Sequence, residues 1–172
     1  MRHVEGLLLR IAPVFKRQVN TMSMWSLMLL KPDIVAHRPL LQQAVRELLD
    51  AGIVINGAQK LHLTKEKAQE LYGDHKDKFF YSRLVRHVTR TVLVFSGPVI
   101  AMRVSGNVRS ILGSSRLYPI PEIGVRSSLR QRYALSDVRN VAHTSDAEAA
   151  QRELALFEPL PPPEPLLNEI LT

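Results

Sequence analysis

The sequence predicts a mixed α/β (α+β) domain with a four-stranded antiparallel sheet, and three observations point there. An apolar run of strand length at 24–30 is followed by apolar residues at helical spacing: Leu40, Leu41, Ala44, Val45, Leu48 and Leu49. A β-branched stretch at 53–55, continuing at 58–63, leads into a helix signal after Thr64. The second half repeats the alternation. It has a strand at 97–104 and a short β-prone run at 140–142, then strong helix formers at 146–157. Strand and helix in βαββαβ order predict one antiparallel sheet with helices on one face.

Each element has a local reason. The first strand ends at Lys31, because Pro32 prevents the ladder from continuing. Since the run is almost wholly apolar, it reads as a central strand covered on at least one face. On pattern alone, Lys31 is a solvated charge at the strand end. Pro39 suits a first helical turn, and Gly52 closes that helix. Thr64 reads as the N-cap of a helix reaching about residues 71–73. Phe79, Phe80 and Tyr81 then stand together among charged residues, a cluster that either packs a core or meets a ligand ring. The apolar segment 90–95 would lengthen the third strand on its upstream side, and left exposed it would form an aggregation-prone edge. Residues 114–129 form a loop interrupted by Pro119, Pro121 and Gly124, a length that marks function or disorder.

Chemistry concentrates in Asn140-Val141-Ala142-His143-Thr144-Ser145-Asp146. Ser145 and Glu148 have capping-box spacing, which makes Ser145 an N-cap and places His143 just ahead of a helix N-terminus. Free N–H groups there favour phosphate. A neutral imidazole at such a place can attack as a nucleophile, with Glu153 orienting its other ring nitrogen. The tail from Pro159 to Pro165 reads as extended, and 166–171 as a short docked turn or a disordered end.

Composition sets bounds. The 172 residues suit one domain with short tails, and 45% hydrophobic content with a mean hydropathy of −0.04 fits a globular chain. A formal charge of +7 favours anionic partners such as nucleotides, RNA or acidic membranes. Without cysteine there are no disulfides or thiolate zinc sites. No apolar run is long enough to span a bilayer, since 91–102 is short and interrupted by Gly97-Pro98. Phosphate is not held by a G-x-x-x-x-G-K-[ST] loop or a G-x-G-x-x-G turn. Residues 1–23 carry Arg2, Arg10, Lys16 and Arg17 against Glu5, with Leu7-Leu8-Leu9, Ile11 and Val14 interspersed. This is a basic arm or a mitochondrial transit segment.

The 140–146 segment resembles the N-x-x-H-G-S-D signature of nucleoside diphosphate kinases. Lys31-Pro32-Asp33, the 72–84 segment, Ser96-Gly97-Pro98 and Arg139-Asn140 resemble the same family in the same order. The resemblance covers roughly residues 25–158 and is nearest to the divergent sixth-type subgroup, some members of which are mitochondrial. It implies a ferredoxin-like domain at 24–158, with a Pro-rich tail at 159–172. It also implies transfer of a γ-phosphate between nucleoside tri- and diphosphates through a phosphohistidine on His143, with Mg²⁺ carried by the nucleotide phosphates.

The resemblance implies the following roles, residue by residue. Lys31 contacts the transferred phosphate, Tyr72 hydrogen-bonds near that lysine, and Phe80 and Leu84 clamp the base. Arg109 and Ser115 touch phosphate, and Asn140 binds the sugar hydroxyl. Arg130 takes the second phosphate position on its distance from Arg139-Asn140, while Arg126 matches only across a gap. The helix at 106–113 is about one turn shorter than the family's. Thr144 replaces a glycine, which predicts a displaced His143 if this position needs positive φ. A trimer or hexamer is the expected assembly. The alternative is a weakly active or inactive relative that serves as a nucleotide-binding or assembly partner, with RNA or the mitochondrial ribosome. Net charge alone suggests a third possibility, RNA binding by the sheet.

Overall fold

A computed structural model describes residues 25–89, 97–115 and 127–172. The basic arm at 1–23, the segment 90–95 and Arg126 lie outside the described residues. The sheet has four strands: β1 (Ser26–Leu30), β2 (Val54–Leu61), β3 (Val99–Ser105) and β4 (Ala142–Thr144). Their order is β2-β3-β1-β4, antiparallel throughout, so the strand that is almost wholly apolar in sequence is indeed central.

Helices connect the strands. α1 (Pro32–Val35) turns directly off β1, and α2 (Arg38–Asp50) follows, with Pro39 in its first turn and Gly52 just beyond its end at φ 77°. That positive φ is why glycine stands there. α3 (Lys65–Leu71) is capped by Thr64, whose Oγ1 accepts from Lys67 N at 3.2 Å. A 3₁₀ turn (Gly73–His75) leads to α4 (Tyr81–Val88), and β3 is followed by α5 (Val108–Leu112) and α6 (Leu129–Tyr133). α7 (Ala150–Ala155) and α8 (Glu164–Leu171) close the chain.

Strand alternation sends β1 to two cores. Met28 and Leu30 pack with α2, α5, α6 and α8, whereas Leu27 and Leu29 pack with α3, α4 and α7. The expectation of helices on one face is therefore corrected. The βαββαβ core keeps α2, α5 and α6 on one face, and the added helices α3, α4 and α7 bury the other. A strand whose last four residues, Leu27 to Leu30, are all apolar and buried requires this, because each face presents side chains that water would otherwise meet.

The C-terminal segment is also docked. Ala58 N donates to Pro161 O at 3.0 Å along the outer edge of β2, and Leu167 and Ile170 of α8 enter the first core. Pro165 sits in the first turn of α8, where its missing N–H costs nothing, so the proline run ends in a helix rather than preventing one. Leu160 lies so near Gly57 that a Cβ there would stand 2.8 Å from the Leu160 Cβ. The glycine is required by this close approach.

Candidate active site

Two corners bring the polar residues together. At the end of β1, Lys31 N donates to Val141 O at 2.9 Å, which ties the first corner to the approach to β4. There Ala142 N donates to Asn140 O at 2.9 Å across Val141, whose φ is 77°: a γ-turn of the positive-φ kind. A β-branched residue in this conformation is strained by about 1–3 kcal/mol, and surrounding bonds must over-determine it. Val141 is fully buried, with its N–H donating to Asp33 Oδ2 at 3.1 Å while its carbonyl holds Lys31.

His143 follows on β4, paired with Leu29 of β1. Cross-strand partners share a face, so the imidazole lies on the side of α3, α4 and α7. Glu153, on α7, meets it there: His143 Nε2 and Glu153 Oε2 are 2.6 Å apart. Ser145 Oγ donates to the same carboxylate oxygen at 2.6 Å. Burial pushes the Glu153 carboxyl up, but hydrogen bonds from His143 and Ser145 and the nearby charge outweigh it, and the group sits below its ordinary value. An ionised carboxylate only accepts, so Nε2 carries the hydrogen. In the neutral ring Nδ1 is then the lone-pair nitrogen.

This geometry corrects two expectations. Ser145 is no N-cap, because α7 begins only at Ala150 and its N-cap position, Ala149, offers no side-chain bond. The hydroxyl is spent on Glu153 instead. His143 accordingly stands in a strand and not at a helix N-terminus. Thr144 pairs with Met28 in β4, and among the described residues Val141 alone outside glycine has positive φ. The strain expected at Thr144 is carried three residues earlier, so a β-branched side chain is compatible with the strand at 144.

Lys31 is buried, not solvated as pattern suggested, with its Nζ donating to Asn140 Oδ1 at 2.6 Å and to Val138 O at 3.0 Å. Burial pulls its pKa down to about 7, against a partial lift from Asp33 and with a further push down from Arg130. Asn140 is committed at both ends, its Nδ2 donating to Asp137 O at 3.0 Å. Arg130, on α6, donates to Asn140 O at 3.1 Å, Gly113 O at 2.7 Å and Ala142 O at 2.6 Å. It holds the loops together, and burial lowers its pKa to about 10. Arg109 pairs with Asp146 at the surface.

Tyr72 packs its ring edge-on against His143, with centroids 5.3 Å apart. The expected hydrogen bond near Lys31 is not made. The Tyr72 hydroxyl is buried and has no partner among the described residues, and burial, then Glu153 and Asp33, raise its pKa. An orphaned buried hydroxyl is a place for an incoming polar group.

These residues open onto one cavity of about 820 Å³. Lys31, Tyr72, Arg109, Ser115, Arg130, Asn140 and His143 line its polar side, and Phe80 and Leu84 its apolar side. Ser145 and Glu153 stand behind the wall. The residues given site roles from the sequence thus lie in or directly behind the wall of one cavity, Arg126 being outside the described residues. Phe79 of the aromatic cluster, 84% exposed, also lines it, as do Ala142, Thr144 and Asp146 of the 140–146 segment. His75, Gly113, Ser114 and Asp137, which had no assigned role, complete the lining. Asp33 was legible only as part of Lys31-Pro32-Asp33, and nothing in the residue type of Val141 or His87 signals their places. Among the described residues no group of three or more His, Asp or Glu could hold a metal ion.

Comparison with known proteins gives a consistent result. A family model described as nucleoside diphosphate kinase matches residues 25–159. A nucleoside diphosphate kinase of Histophilus somni is 34% identical over 136 residues, covering 77% of this chain and 90% of the relative. One from Methanococcus maripaludis is 36% identical over 134 residues, covering 74% and 92%. Among solved structures, a Halobacterium salinarum nucleoside diphosphate kinase in complex with CDP superposes with a TM-score of 0.66 at 31% identity, covering 78% of this chain and 87% of that one.

Proposed function

The chain belongs to the nucleoside diphosphate kinase family, and from that premise we propose that it transfers a γ-phosphate between nucleotides through His143. One observation carries the reading. The His143 Nε2–Glu153 bond fixes the tautomer and leaves Nδ1 as the nucleophilic nitrogen of a residue lining the cavity. Nδ1 attacks the γ-phosphorus in line, the N–P bond forms as the bond to the β-phosphate oxygen breaks, and the nucleoside diphosphate leaves. A second diphosphate reverses the step in the same site. Positive charge developing on the imidazole is met by Glu153, whose position Ser145 also fixes.

The polar wall suits the transferring group. Lys31 and Arg130 each keep N–H donors beyond those already bonded, and Arg109 is freed when a phosphate replaces Asp146. Tyr72 lines the same space, and its buried hydroxyl has no partner among the described residues. Phe80 and Leu84 offer a base-unspecific apolar slot, and Asn140 and Ser115 serve the sugar and phosphate. On this reading a Mg²⁺ would arrive bound to the nucleotide phosphates. Such an ion would neutralise charge on the phosphates.

One feature favours a second reading, binding without turnover: Lys31, Arg109 and Arg130 are all engaged by groups of the protein itself. The test separates the two. Purified protein is incubated with γ-labelled ATP and Mg²⁺ beside His143→Ala. Acid-labile label on wild type alone, chased off by GDP, is the expected result. A raised melting temperature with ATP but no label would leave a nucleotide-binding partner protein. Homo-oligomerisation as a trimer or hexamer and mitochondrial import through the basic arm belong to the same proposal. Light scattering of the full chain and import of a reporter fused to residues 1–23 check them.

A further inference from the structure

The strained turn at Val141 is held by a pair that the reaction above does not use. His87, on α4, places Nε2 2.9 Å from Asp33 Oδ1, and both side chains are nearly buried, at 12% and 6% exposure. The other oxygen of that carboxylate, Oδ2, accepts from Val141 N. The unbroken path from α4 to the catalytic segment is His87, Asp33, Val141.

The two ends of this path matter. α4 also carries Leu84 of the apolar slot, and its Arg83 donates to Asp137 at 2.6 Å, three residues before Asn140. At the other end, Val141 sits between Asn140 and Ala142, and His143 is the next residue. A positive-φ valine relaxes unless its N–H and carbonyl are both held, and Asp33 and Lys31 N are what hold them. Without His87, Oδ1 loses the one hydrogen bond it makes among the described residues, and the Val141 N–H on Oδ2 alone restrains the carboxylate. His87 therefore keeps Asp33 aimed at Val141.

We propose that His87 is a positioning residue for phosphoryl transfer, acting through Asp33 to hold the Asn140–His143 turn and to couple it to the helix that carries the base slot. The proposal rests on the phosphotransfer reading for its effect on rate, but not for its effect on the turn. A neutral imidazole with hydrogen on Nε2 suffices, so no protonation change is required.

The experiment compares wild type, His87→Phe and His87→Gln in the full chain. Phenylalanine keeps a ring but removes the donor, whereas glutamine restores an N–H. We expect kcat to fall about tenfold to a hundredfold in the phenylalanine variant, as for a nucleophile displaced by a fraction of an ångström, with KM for the nucleotide changed much less. Glutamine should recover most of the rate. The Val141 amide, followed by hydrogen exchange, should lose protection in the phenylalanine variant and regain it in the glutamine one. This second readout stands even if wild type proves inactive, so failure of the phosphotransfer reading and failure of this one are distinct. Wild-type kcat with unchanged Val141 protection in His87→Phe would overturn the proposal. So would equal losses in both variants that merely follow melting temperature. Should the phenylalanine variant not fold, Asp33→Asn, which leaves α4 intact and replaces one acceptor oxygen by a donor, is read by the same two measurements.

Discussion

At the scale of single residues, the chemistry depends on which atoms are already occupied. Glu153→Gln keeps the shape and one acceptor but removes the charge that favours imidazolium. Label transfer to His143 should slow by on the order of 10²-fold, less than the ~10⁴-fold seen where loss of an aspartate puts a catalytic ring in the wrong tautomer. Rapid-quench labelling measures it. Thr144→Gly should gain nothing, because position 144 is ordinary strand. We expect activity within about twofold of wild type and a loss of roughly 0.5–1 kcal/mol of stability, read from denaturant melts. Lys31 has a pH signature. Burial lowers its pKa from 10.5 to about 7 in the folded chain, so between those values the unfolded chain binds a proton that the folded one has lost. Stability contributed by this group therefore rises with pH from about 7 towards 10.5, and Lys31→Met should flatten that slope. An anionic phosphate favours the charged form, so nucleotide binding near pH 8 should take up a proton. Calorimetry in two buffers of different ionisation heat reads that uptake, and none would mean that Lys31 does not meet the phosphate.

At the scale of elements, the C-terminal segment behaves as part of the domain. It runs along the outer edge of β2, where an uncovered strand would present unpaired backbone groups to other chains. Leu167 and Ile170 are each 5% exposed, so replacing either by alanine should cost about 2–4 kcal/mol, measurable as a shift in urea midpoint. α1 and α4 behave differently, since the Asp33–His87 contact lets two short helices hold a turn that neither contains.

At the scale of the whole molecule, the formal charge is +7, and Lys31, Arg109 and Arg130 line the cavity. Nucleotide capture should accelerate at low ionic strength, and kcat/KM should fall several-fold as salt is raised. Steady-state rates across a salt series check this. Much of the fold was legible from order and pattern, because apolar spacing specifies which faces are buried and proline and glycine mark where elements stop. The βαββαβ order, the central place of β1 and the caps at Thr64 and Gly52 are all local in origin. That the residues assigned roles from the sequence gather at one cavity is a matter of position, which order along the chain already suggested. What only the tertiary structure decided is what those residues do to one another. Ser145 looked like a cap and became a ligand of Glu153, Lys31 looked solvated and became buried, and the strain assigned to Thr144 fell on Val141. Spacing along a chain describes neighbours within one element. These partnerships form between residues as far apart as Lys31 and Asn140, and packing alone brings them into contact.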